Sequence, residues 1–98
     1  MSKGRQPKKG SKPQVVMYSS RLCPFCFRAK SLFDSKKIKI DEIIVDRAPE
    51  KRQEMMQKSG RHTVPQIWIN GSHVGGCDEL LALDRQRELD TMLMGVKS

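Results

Sequence analysis

A chain of 98 residues with 37% hydrophobic content can hold one small domain around a single modest core. Its sequence has no run near the roughly 18 apolar residues of a membrane span and no apolar segment at the N-terminus, so a soluble, cytoplasmic protein is expected. The formal net charge of +8 is uneven, with +5 on Lys3, Arg5, Lys8, Lys9 and Lys12 in residues 1–13 and only +3 on the rest.

That first segment also holds Gly4, Pro7, Gly10 and Pro13, no acidic residue and almost nothing to bury. It is expected to be a basic, disordered N-terminal extension, with the folded domain over 14–98. Clustered lysines attract phosphates non-specifically, but no aromatic platform or recognition motif accompanies them, and no nucleic-acid partner is expected. A nucleic-acid module built on the extension would instead show salt-sensitive association that disappears on deleting residues 1–13.

Val15 to Tyr18 is an apolar run that predicts a buried strand over about 14–19. Ala29, Leu32 and Phe33 then recur at helical spacing and predict a helix over about 24–36. Ile38 to Val45, rich in isoleucine, predicts a second strand. Parallel strands joined by a helix form a right-handed βαβ unit. Pro49 suits the first turn of a second helix, which carries Met55 and Met56 inward as core filler and ends near Ser59-Gly60. Gln66 to Ile69 and Ser72 to Gly75 flank Asn70-Gly71, a two-residue hairpin signal. Asp78 is suited to cap a last helix through Leu80, Leu81 and Leu83, with Leu89, Met92 and Leu93 continuing or restarting it.

Within this βαβαββα order, Cys23-Pro24-Phe25-Cys26 falls at the first strand-to-helix turn. The unpaired N–H groups and partial positive charge of a helix start favour a thiolate at Cys23 over a thiol. That is the condition for dithiol chemistry by an electron-rich sulfur open to solvent. Zinc would require a second Cys-x-x-Cys or a closely spaced His pair, whereas only Cys77, His62 and His73 remain, so no metal is expected. Three cysteines without a secretory signal also fit a structural disulfide poorly and a reducing compartment well. Two buried small hydrophobes would be the bland alternative, less suited to a pair at a helix start.

The element order with a Cys-x-x-Cys after the first strand points to an α/β, thioredoxin-like fold: a four-stranded mixed sheet with helices on both faces. Cys23-Pro24-Phe25-Cys26, Thr63-Val64-Pro65 and Gly75-Gly76-Cys77-Asp78 stand in the order and spacing of a glutaredoxin. From about Val15 to Met94 the chain resembles the small bacterial dithiol glutaredoxins, the stretch Ser59 to Ile67 included, while the basic extension lies outside the resemblance.

The resemblance implies a glutathione-dependent thiol-disulfide oxidoreductase, acting as a monomer. Glutathione is then the co-substrate. Its protein substrates would carry disulfides or glutathione adducts, with ribonucleotide reductase among the candidates. Cys23 is the implied nucleophile and Cys26 the resolving thiol. By ordinary proline rules Pro65 could equally open an edge strand in trans. The resemblance implies a cis Val64-Pro65 bond instead, with the Val64 backbone free to pair with the glutathione cysteine. Gly76 allows close approach, and the N–H groups of Cys77 and Asp78 at a helix start can receive the γ-glutamyl carboxylate. The Asp78 carboxylate would reach the glutamyl ammonium, and Thr63 and Phe25 would complete the groove.

Many glutaredoxins carry a lysine three residues before the nucleophile, where this chain has Ser20; Arg21 and Arg52 are the cations expected to meet the glycyl carboxylate instead. For Arg52 a solvated helix face is the alternative. A glutathione-ligated iron–sulfur cluster carrier is a function of another class, and brown colour after anaerobic purification would mark it. In the family, Pro24 favours redox activity over cluster retention.

Overall fold

The computed structural model describes residues 13–94 and comprises β1 (Val15–Ser19), α1 (Pro24–Ser35), β2 (Asp41–Ile44), α2 (Pro49–Ser59), β3 (Gln66–Ile69), β4 (Ser72–Gly75), α3 (Cys77–Arg85) and α4 (Leu89–Met94). The expectation of disorder in the basic extension falls, Pro13 apart, outside the described residues. The strands form one sheet in the order β2-β1-β3-β4, with β1 parallel to β2 and the other neighbours antiparallel.

Alternation along β1 sorts the layers, because successive side chains of a strand leave opposite faces. Val15 and Met17 join Ile67 and Ile69 against Ala29 and Phe33 of α1, Leu80 of α3 and Leu89 and Leu93 of α4. Val16 and Tyr18 point the other way, where Trp68 and Met55 of α2 meet them. Helices therefore cover both faces, as the sequence predicts. Val64, in the loop before β3, packs against both clusters.

Two expectations are corrected and one open alternative is decided. The second strand is shorter than Ile38 to Val45, because residues 36–38 close α1. Lys37 adopts a left-handed φ of 60°, its N–H bonds the Asp34 carbonyl at 2.9 Å, and the Ile38 N–H bonds the Phe33 carbonyl at 2.9 Å. This is a Schellman cap built without glycine. Arg87, at φ 63°, repeats it: its N–H bonds the Asp84 carbonyl at 3.0 Å and the Glu88 N–H bonds Leu83 at 2.9 Å. So the last helix restarts as α4 rather than continuing. Met56 does not face inward with Met55; it is 40% exposed and Met55 wholly buried, since neighbours on a helix lie about 100° apart and α2 meets the sheet with one face.

The hairpin forms as predicted, with Asn70 and Gly71 at φ 50° and 87° and Ile69 paired with Ser72. Pro49 opens α2, and Gly60 closes it in the left-handed conformation. No helix among the described residues is long and apolar enough to cross a membrane.

Candidate active site

Cys23 is the N-cap of α1, in extended conformation, and its Sγ accepts a hydrogen bond from the Cys26 N–H at 3.2 Å. Pro24 fills the first helical position, where a missing N–H does no harm. The first turn carries no acidic residue, so nothing there offsets the positive end of the helix beneath the sulfur. A sulfur open to solvent is the expectation, and the structure corrects it: Cys23 is buried with 8% of the residue exposed, against 1% for Cys26, because it joins the apolar cluster beneath α1. Burial, and then the hydrogen bond with Cys23, pushes the Cys26 thiol up to about 12. The pair is therefore asymmetric: one sulfur receives an N–H, and the other, more deeply covered, is a thiol that burial holds in its protonated form.

The segment before Cys23 is fastened to the end of β2. Ser20 Oγ donates to Asp46 Oδ1 at 2.8 Å and the Arg21 N–H donates to Oδ2 at 2.9 Å. These two bonds hold the Asp46 carboxyl below its usual range, with the charges of Arg21 and Arg52 adding to the effect. Ser20, where the resemblance implies a lysine, is thus used here to anchor the loop.

On the other side of Cys23 runs the loop into β3. The Val64-Pro65 bond is cis, and the Val64 carbonyl lies 3.8 Å from Cys23 Sγ. Among the described residues, the Val64 N–H and C=O make no backbone–backbone hydrogen bond. Arg52 Nη1 donates to the His62 carbonyl at 3.0 Å, and Gln66, wholly buried, donates through Nε2 to the Thr63 carbonyl at 3.1 Å. The loop is held from both sides, leaving the Val64 edge without a backbone partner among the described residues; its carbonyl faces the Cys23 thiol.

The third wall is the start of α3. Gly76 is its N-cap, and Glu79 Oε1 accepts the Gly76 N–H at 2.7 Å. The capping side chain is therefore Glu79, not Asp78 as the sequence suggests; Asp78 sits in the first turn and is exposed. Glu79 Oε2 also meets Arg61 Nη2 at 3.3 Å, linking this turn to the loop opposite. The Gly76 N–H and then Arg61 keep the Glu79 carboxyl low. A Cβ on Gly76 would lie 3.2 Å from the Pro65 carbonyl oxygen, so glycine permits the two segments to approach. Burial raises the Cys77 thiol, and Cys77 lines the cleft at the first position of α3.

These segments enclose an open cleft of about 180 Å³ lined by Phe25, Arg61, Thr63, Val64, Pro65, Gly76, Cys77, Asp78 and Glu79. Seven of those nine are predicted from the sequence. Arg61 and Glu79 are not, although a glutamate three residues after Gly76 matches half of a capping box and signals the latter. Arg21 and Arg52 do not line the cleft; they stand on its Asp46 side.

Residues 15–74 match the family model for Glutaredoxin. The chain belongs to the glutaredoxin family. It is 51% identical over 81 residues to a glutaredoxin of Pseudomonas aeruginosa, covering 83% of this chain and 96% of that one. Its fold superposes on the solution structure of a Brucella melitensis glutaredoxin with a TM-score of 0.79 at 42% identity, over 95% of this chain and 99% of that one. The crystal structure of a buckwheat glutaredoxin–glutathione complex superposes with a TM-score of 0.78 at 32% identity, over 83% of this chain and 76% of that one. In this glutaredoxin, then, Phe25 of the tetrad, the cis-proline loop and the second glycine of the diglycine turn line one cleft; Cys23 and Cys26 do not line it, and Cys23 Sγ lies behind its Val64 wall, 3.8 Å from the carbonyl.

Proposed function

We propose that this glutaredoxin is a cytoplasmic, glutathione-dependent thiol-disulfide oxidoreductase, with Cys23 as nucleophile and Cys26 as resolving thiol. The observation that carries the reading is the placement of Cys23 Sγ, capped by an N–H and 3.8 Å from the unpaired edge of Val64 at the cleft. The buckwheat relative, solved as a glutathione complex, supports the choice of ligand.

The Cys23 thiolate attacks the glutathione sulfur of a mixed disulfide, forming a Cys23–glutathione disulfide and expelling the other thiolate, which takes a proton from solvent. A second glutathione, as thiolate, attacks the bound glutathione sulfur; oxidised glutathione leaves and Cys23 returns as thiolate. With a protein disulfide, Cys23 first forms a mixed disulfide with the substrate. Cys26 then loses its proton and attacks Cys23 Sγ, releasing the reduced protein and leaving a Cys23–Cys26 bridge that two glutathiones reduce. The high-lying Cys26 thiol suits this order, since a protonated Cys26 does not compete for the first attack.

Glutathione lies along the cleft with its cysteinyl backbone against Val64, as an added strand. Its γ-glutamyl carboxylate meets the N–H groups of Cys77 and Asp78 at the positive end of α3, and its ammonium meets the Asp78 carboxylate. Thr63, Pro65, Gly76 and Phe25 shape the walls. Arg21 and Arg52 face the glycyl carboxylate; the bond to His62 occupies one of five guanidinium N–H groups of Arg52, leaving others for the ligand. Reduction of a small glutathione mixed disulfide, coupled to glutathione turnover, tests the assignment. Cys23→Ser abolishes all turnover, whereas Cys26→Ser retains it for glutathione adducts and loses protein disulfides. Equal loss in both variants would reject the division of roles.

A further inference from the structure

Gln66 and Ser19 are the buried polar residues among the described ones, and the Gln66 side chain reaches the rear of the cleft loop. Its Nε2 donates to the Thr63 carbonyl at 3.1 Å and stands 3.3 Å from Thr63 Oγ1, while its Oε1 is 2.8 Å from His73 Nε2. Chemistry fixes the direction of every one of these bonds. A carbonyl only accepts, so the amide must present its NH2 to Thr63 and its oxygen to His73, which must then carry a proton on Nε2. Because the Thr63 hydroxyl oxygen accepts from Gln66, the hydroxyl's own proton is left for another acceptor. Thr63 is exposed and lines the cleft.

We propose that Gln66 is a positioning residue for the glutathione reaction: from behind the loop it fixes Thr63 so that the hydroxyl faces the cleft as a donor, and His73 sets the orientation of the amide that does so. The group met there is an acceptor, a carboxylate or peptide carbonyl of glutathione. The inference rests on the reading of the cleft as a glutathione site. His73 lies on the adjacent strand with its ring against Trp68, at 4.7 Å between centroids, so the chain of contacts runs from the β4 edge through the sheet to the ligand wall.

The test is steady-state kinetics with a small glutathione mixed disulfide as the varied substrate at fixed glutathione, on wild type, Gln66→Met, Gln66→Glu, Thr63→Ala and the Gln66→Met/Thr63→Ala double variant, with thermal melting beside it. A neutral hydrogen bond is typically worth a factor of about 2 to 10. The KM for the mixed disulfide is therefore expected to rise by about that factor in each single variant, with kcat within about twofold of wild type. In the double variant KM rises no further than in the worse single one, because both changes remove the same donor. Gln66→Glu keeps an acceptor for His73 but loses the donors to Thr63, so it raises KM as Gln66→Met does. Unchanged KM alongside a lowered melting temperature, multiplying effects in the double variant, or loss of folding in both Gln66 variants would each overturn the proposal. Absence of turnover by the wild type would overturn the glutathione reading itself and this inference with it; normal wild-type turnover with unaffected variants overturns this inference alone.

Discussion

Cys26 should be almost inert toward alkylating reagents in the folded protein, and the structure sets how inert. A free thiol with a pKa near 8.5 is thiolate in about 3% of molecules at pH 7, whereas a thiol raised to about 12 is thiolate in about one molecule in 10⁵. The thiolate available at Cys26 is thus about three thousandfold scarcer, before its 1% exposure hinders approach. Iodoacetamide labelling across neutral to alkaline pH, quenched at intervals and read by peptide mass spectrometry, measures each cysteine separately. Cys26 should label only after unfolding. The same holds in Cys23→Ser, because burial is the larger cause of the shift and the lost Cys23 contact the smaller. Labelling of folded Cys26 at more than about a hundredth of the free-thiol rate would refute the argument that burial silences it.

Glu79→Gln removes the charge that joins the Gly76 N–H to Arg61. The Glu79 side chain is 45% exposed, so solvent screening limits the loss to about 0.5–1 kcal/mol, a fall in melting temperature of a few degrees near neutral pH. Since folding lowers the Glu79 pKa, its stabilisation is complete above the unfolded value of about 4.3 and fades as pH falls through the lower folded value. A gap between wild type and variant that stays constant into acid, in urea melts at stepped pH, would contradict the linkage. Arg87→Gly relieves a side chain held at φ 63° and should stabilise the domain by about 0.5–1 kcal/mol. A lowered urea midpoint would show that the arginine side chain contributes more there than the backbone loses.

The parts of the fold legible in the sequence are those with local causes. Val15 to Tyr18 reads as a strand because its apolar run is continuous, and Asn70-Gly71 reads as a hairpin because both residues tolerate positive φ. The α1 cap is not legible, and the break before α4 only as one of two options, since Lys37 and Arg87 stand where glycine is the usual signal. Local backbone bonds close both turns, but without the glycine that would have marked them in the sequence. The same division holds at the cleft. Tetrad, cis-proline loop and diglycine turn are contiguous motifs, whereas Arg61–Glu79 and Thr63–Gln66–His73 join residues that only the folded sheet and loops bring together.

Val64 touches the packing on both sides of the sheet while its backbone borders the reactive sulfur. Its position makes the ligand wall answerable to two otherwise separate interiors. Repacking either cluster bears on Val64 from behind, without touching Thr63 or Pro65 beside it. One short residue thus gives the backbone beside Cys23 two foundations, one in each layer of the domain.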